Sequence, residues 1–126
     1  MTLPVIVFGR DDSAATRAAL RFFKERRVAI QYSDIRRRPL APGELARFVA
    51  RLGASALADR DGRVWRDLGL GYLAMSDAEL VERLLADQRL LRLPLVRLGA
   101  AFAAGAAEAA WRAMLVAQDG AASPLM

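Results

Sequence analysis

Six consecutive residues near the start of the chain, Leu3-Pro-Val-Ile-Val-Phe8, carry no polar side chain. A strand with one wet face alternates apolar and polar side chains. An unbroken run rich in β-branched residues therefore predicts a strand covered on both faces, as in a sheet with helices on each side. The polar break Gly9-Arg-Asp-Asp12 follows, and Ser13 stands where a helix N-cap belongs. Ala14 to Arg27 then reads as a helix, with Ala15, Ala19, Leu20 and Phe23 at helical spacing. Val28-Ala-Ile-Gln-Tyr32 is a second strand. A strand, a helix and a strand in this order imply a parallel pair with a right-handed crossover.

The remainder extends that layout. Asp34-Ile-Arg-Arg-Arg38 and Pro39-Leu-Ala-Pro42 read as a loop, and Gly43 to Leu52 as a helix with Pro42 at its first turn. Asp59-Arg-Asp-Gly62 is a turn signal. Ser76-Asp-Ala-Glu79 is a capping box, and the helix it opens puts Leu80, Val81, Leu84 and Leu85 on one face. Leu93-Pro-Leu-Val-Arg-Leu98 is a third strand and Ala100 to Ala103 a fourth, joined at Gly99. Glu108 to Gln118 is a closing helix containing Trp111. The fold class is α/β: βαβ, a helical insertion, then ββα, giving a four-stranded mixed sheet with flanking helices. Residues 1–119 are expected to form one domain and 120–126 a flexible tail.

Two zeros restrict the chemistry. The 126 residues include no cysteine and no histidine. That excludes disulfides, thiol catalysis, metal sites built on Cys or His, and imidazole acid–base chemistry. Asp11 and Asp12 are the only adjacent acidic pair, and no further acids are spaced to complete a metal shell, so no metal is expected. The most apolar stretch, Leu90 to Leu115, is interrupted by Arg92, Arg97, Glu108 and Arg112. It is not expected to cross a membrane. With no basic-then-apolar leader pattern at the start, a cytoplasmic location is the expectation.

The net charge is +5, and 18 of the 19 basic residues are arginine. Beside 26 alanines, that bias reads as the composition of a GC-rich genome rather than as a nucleic-acid surface. The run Arg36-Arg-Arg38 is the densest, but no aromatic interleaves with it as single-strand binding would want. Arg47 and Arg51 share a helix face. A solvated loop and an exposed polar face account for both groups.

Four segments resemble the arsenate reductase (ArsC)/Spx family of thioredoxin-like, glutaredoxin-like proteins. They are Val5-Ile-Val-Phe-Gly-Arg-Asp-Asp-Ser13; Asp61-Gly-Arg-Val-Trp-Arg-Asp-Leu-Gly-Leu70 with Met75-Ser-Asp-Ala-Glu-Leu80; Leu90-Leu-Arg-Leu-Pro-Leu-Val96; and Gly105 through Trp111. The resemblance implies a catalytic cysteine at position 13 and, in some members, a second at 16. This sequence has Ser13 and Thr16, followed by Arg17. It also implies that Pro94 is a cis-proline bordering the site, and that an arginine precedes it. Leu93 stands there instead, with Arg92 one residue earlier and expected on the opposite face.

The functional expectation is an ArsC/Spx-like protein without redox cysteines, acting as a non-catalytic protein-binding or regulatory module with no cofactor. Its binding residues would be Arg10, Ser13, Arg17, Arg92 and Pro94. The family resemblance suggests RNA polymerase as one partner. The alternative is an arsenate reductase-like or glutathione-dependent enzyme in which Ser13 replaces the cysteine. Asp11 and Asp12 oppose that alternative, because they complement the helix start themselves and repel an anionic ligand.

Overall fold

The computed structural model describes residues 3–122, with side chains to Gln118. Four strands, β1 (Val5–Gly9), β2 (Ile30–Asp34), β3 (Leu95–Leu98) and β4 (Ala101–Ala104), form one sheet in the order β2-β1-β3-β4. β1 pairs parallel with β2, Val5 opposite Ile30 and Gly9 opposite Asp34. β1–β3 and β3–β4 are antiparallel. The five helices are α1 (Ala14–Glu25), α2 (Pro42–Leu52), α3 (Arg63–Asp67), α4 (Asp77–Ala86) and α5 (Glu108–Ala122).

β1 lies at the centre, and both its faces are covered. Val5 and Val7 are fully buried beneath α1 and α5 with Phe22, Phe23, Trp111 and Met114. Phe8 packs on the other side, edge-to-face with Phe48 of α2 at 6.2 Å. That second layer holds Leu45, Phe48, Leu57, Trp65, Leu84 and Leu95. The apolar run at 5–8 is thus explained by two cores rather than one, whereas Leu3, ahead of β1, is exposed. Trp65 and Trp111 are both buried, and each serves a different core.

The boundaries shift where local geometry intervenes. α1 ends at Glu25 rather than Arg27, because Arg27 takes a left-handed conformation (φ 59°). The Val28 N–H then bonds back to the Phe23 carbonyl at 3.0 Å, so β2 begins at Ile30 rather than Val28. Pro42 is itself the first residue of α2. β4 lies one residue later than expected. α5 continues to Ala122, so residues 120–122 of the expected tail are helical, and 123–126 lie outside the described residues. Among the described residues, no helix is long and apolar enough to cross a membrane.

Candidate functional site

The junction of β1 and α1 is built from close backbone approach. Gly9 is buried, and a Cβ there would run into the Thr16 side chain, so glycine lets the first turn of α1 sit directly against the strand end. Thr16 is fully buried, and its Oγ1 accepts from the Arg10 N–H at 3.3 Å. The Thr16 N–H in turn donates to Ser13 Oγ at 3.1 Å. Ser13 is therefore the N-cap of α1, satisfying one of the N–H groups that a helix start leaves without an internal partner.

β2 pins the loop from the other side. Asp34, at the end of β2, has a side chain only 4% exposed. Its Oδ2 accepts from the Asp11 N–H at 3.0 Å, and its Oδ1 from the Arg36 N–H at 2.8 Å. The Arg36 guanidinium donates to both oxygens, at 3.2 and 2.8 Å. The Arg36 hydrogen bonds, then the Asp11 N–H, hold the Asp34 carboxyl well below the usual carboxylate range, and Arg36 is correspondingly raised. The Tyr32 hydroxyl donates to Asp11 Oδ1 at 2.7 Å. Burial, and then that bond to an anion, push the Tyr32 phenol above its ordinary value.

The two loop acids do not turn toward the helix start as expected. The first turn of α1 contains no acid. Asp12 instead takes a two-point bond from Arg10 (3.0 and 2.8 Å), with Arg36 at 3.4 Å. Arg10 is the main reason that the Asp12 carboxyl titrates below its ordinary value. Asp11 faces Tyr32 and, at 3.8 Å, Arg37. A guanidinium offers a full charge and directed donors, whereas a helix end offers about half a charge.

A shallow cleft of about 420 Å³ opens beside this loop, lined by Arg10, Asp12, Ser13, Ala15, Asp59, Arg89, Leu91 and Leu93. Of the residues expected to bind, Arg10 and Ser13 line it. Arg17 is diverted, its Nη1 donating to the Asp11 carbonyl at 2.9 Å. Arg92 leaves the opposite side, packs on Gly105 and lines a separate hollow of about 620 Å³ with Asp59, Arg60 and Asp61. Pro94 follows a cis peptide bond but is fully buried, and its neighbour Leu93 faces the cleft instead. Arg37 and Arg38 are exposed, as are Arg47 and Arg51, the last 5.8 Å over the Phe102 ring.

Sequence reasoning missed Asp59, Arg89, Leu91 and Leu93. Arg89 is held by a two-point bond to Asp87 at 2.9 and 2.7 Å. The only local signal for it was the Asp-x-Arg spacing. Leu93 is notable for its backbone. The neighbouring Arg92 N–H donates to the Leu57 carbonyl (2.8 Å), and the Pro94 carbonyl accepts from Gly105 (2.9 Å). The N–H and C=O of Leu93 make no backbone hydrogen bond among the described residues. Ser13 has no base to activate it. The chain has no histidine, and the adjacent carboxylate, Asp12, is occupied by Arg10.

Comparison with known proteins agrees with this architecture. The chain superposes on the YFFB (PA3664) protein with a TM-score of 0.81 at 22% identity, covering 88% of this chain and 98% of that one. An arsenate reductase from Vibrio cholerae gives 0.73 at 19% identity, covering 83% and 92%. An arsenate reductase (ArsC) related protein from Brucella melitensis gives 0.67 at 18%, covering 90% and 95%. No curated protein sequence matches the chain. The ArsC family pattern matches residues 8–114, from the end of β1 through Met114 of α5, and the chain belongs to the ArsC family, as a member with a thioredoxin-like fold and no cysteine.

Proposed function

We propose that this chain is a non-catalytic binding module that takes an extended segment of a protein partner into the cleft between the 10–13 loop and Leu93. The observation that carries this reading is the unpaired backbone of Leu93, set in a cleft with Arg89 and Asp59 on its wall. A strand-like peptide would supply the missing main-chain partners, and the flanking charges would select its side chains. The absence of any thiol supports a binding role, because thiol–disulfide exchange needs a thiolate. Occupancy of the cleft, rather than a redox state, would then regulate the partner. RNA polymerase is the first partner to probe, and a cytoplasmic setting accords with it.

The test is site-specific photocrosslinking from position 15, on the cleft wall, in extract of the native host. One discrete protein adduct, lost in Arg89→Glu, is expected. Arsenate and glutathione assays run in parallel are expected to be flat. Turnover or glutathione binding abolished by Ser13→Ala would overturn the reading in favour of an enzyme using the serine. So would an adduct pattern indifferent to Arg89.

A further inference from the structure

We propose that copies of this chain associate head to tail, the Leu68–Leu73 loop of one copy entering a cation-rimmed groove on the next. Neither surface overlaps the cleft above, so this inference and the proposed function can fail separately. Three large apolar side chains lie exposed within six residues: Leu68 (52%), Tyr72 (95%) and Leu73 (47%). Single exposed hydrophobics are ordinary, but a cluster on one projecting loop marks a contact surface. The loop itself is uncharged, but acids flank it, Asp67 at the end of α3 (paired with Arg63 at 3.5 Å) and three more on α4. Residues 67–82 include Asp67, Asp77, Glu79 and Glu82 and no lysine or arginine.

The complementary surface is at the end of α1. A groove of about 450 Å³ has Leu3, Val28, Ala29 and Leu115 as its apolar floor and Arg26 and Arg27 on its rim. Residues 17–27 carry five bases and one acid. Among the described residues, none of Arg21, Lys24, Arg26 and Arg27 is in an ion pair. Arg26 is fixed, with Nη1 on the Phe22 carbonyl at 3.0 Å and its guanidinium 3.7 Å over the Phe22 ring. Arg27 is exposed and holds φ at 59°, where glycine would cost less. The helix end favours a cation in its last turn and so accounts for Lys24, but it does not account for an arginine in a left-handed cap.

The two surfaces suit each other in charge and in apolar content, and the sheet keeps them apart within one copy. The loop is anchored by Leu70 and Trp65 in the core beneath α2 and α4. The groove is built on Val28 and Leu115 in the core beneath α1 and α5. A copy cannot reach its own groove, so the contact joins different copies and propagates.

Sedimentation of the full chain tests this. The wild type is expected to exceed its 13.7 kDa monomer mass increasingly with concentration at low salt, and to return to monomer at high salt. Tyr72→Ser and the double variant Lys24→Glu with Arg27→Glu are each expected to stay monomeric. Mixed in equal amounts, they supply one intact groove and one intact loop, and are expected to give a species of twice the monomer mass and nothing larger. Arg27→Gly, which suits the backbone, guards against misfolding and is expected to weaken association while keeping the fold. A monomeric wild type at every concentration overturns the proposal. So does undiminished association of either loop or groove variant, or a mixture that remains monomeric.

Discussion

Asp34 meets four donors from the Asp11 and Arg36 backbones and the Arg36 guanidinium. Because its folded carboxyl titrates below the unfolded value of about 3.9, its contribution is fully present above about pH 4. That contribution is lost progressively as pH falls below the unfolded value toward and through the folded one, because protonation removes the charge and one of the two acceptor oxygens that Arg36 uses. Thermal melts between about pH 5 and pH 2 should therefore show a falling midpoint. Asp34→Asn should start from a lower midpoint at neutral pH and show a shallower fall; an unchanged slope would show that other carboxylates set it. Ser13 is expected to contribute to stability as the N-cap of α1 and not to catalysis. Ser13→Ala removes the bond to the Thr16 N–H and should cost about 1 kcal/mol in urea unfolding, with Ser13→Asp largely restoring it. The two residues differ in how visible they were beforehand. Ser13 caps a group three positions away, and such patterns are written locally, as is the Ser76–Glu79 capping box. Asp34 acts on Asp11 across 23 positions, and no spacing rule connects an acid at one strand end to a loop at the end of another.

Among the elements, the tie between α2 and β3 is the polar contact with most at stake. Arg97 Nε lies 2.6 Å from Glu44 Oε2, and both side chains are only 19% exposed. Glu44→Ala would leave a largely buried guanidinium without its carboxylate partner. It should lower stability by about 2 kcal/mol, read as a shift in the urea midpoint at constant slope. Glu44→Gln, which still accepts, should lose less. All four strands and the long helices were legible from local patterns: the helices from caps and an apolar stripe at helical spacing, the strands from short apolar runs that fit a sheet covered on both faces. The ends were less so. Whether β2 starts at Val28 or Ile30 depends on whether Val28 completes the exit from α1, and that is decided by the Phe23 carbonyl rather than by propensity. α3 is five residues long and presents too short a pattern to read. The cleft suffered most from this. Leu93 was read as the first residue of the third strand, but β3 starts at Leu95, and only the pairing of its neighbours leaves Leu93 open.

At the scale of the whole molecule, two apolar layers share one thin sheet, and neither layer can close without it. The strands contribute side chains alternately to each side: Val5 and Val7 to one core, Phe8 to the other. β3 does the same, with Leu95 in one and Val96 in the other. Loss of the sheet thus exposes both layers at once, and the chain should unfold as one cooperative unit although it has two cores. The two tryptophans make this measurable, since Trp65 reports on one layer and Trp111 on the other. Trp111→Phe leaves Trp65 as the single probe, and Trp65→Phe leaves Trp111. The indole N–H of Trp111 is buried without a partner, so replacing it by phenylalanine forfeits no hydrogen bond. Urea transitions followed by each remaining tryptophan, and by far-ultraviolet circular dichroism, should coincide within each variant. If the Trp65 signal is lost at lower urea than the helical signal, the insertion from α2 to α4 unfolds on its own. The single-domain expectation for residues 1–119 would then give way to a stable βαβ–ββα frame carrying a separable layer.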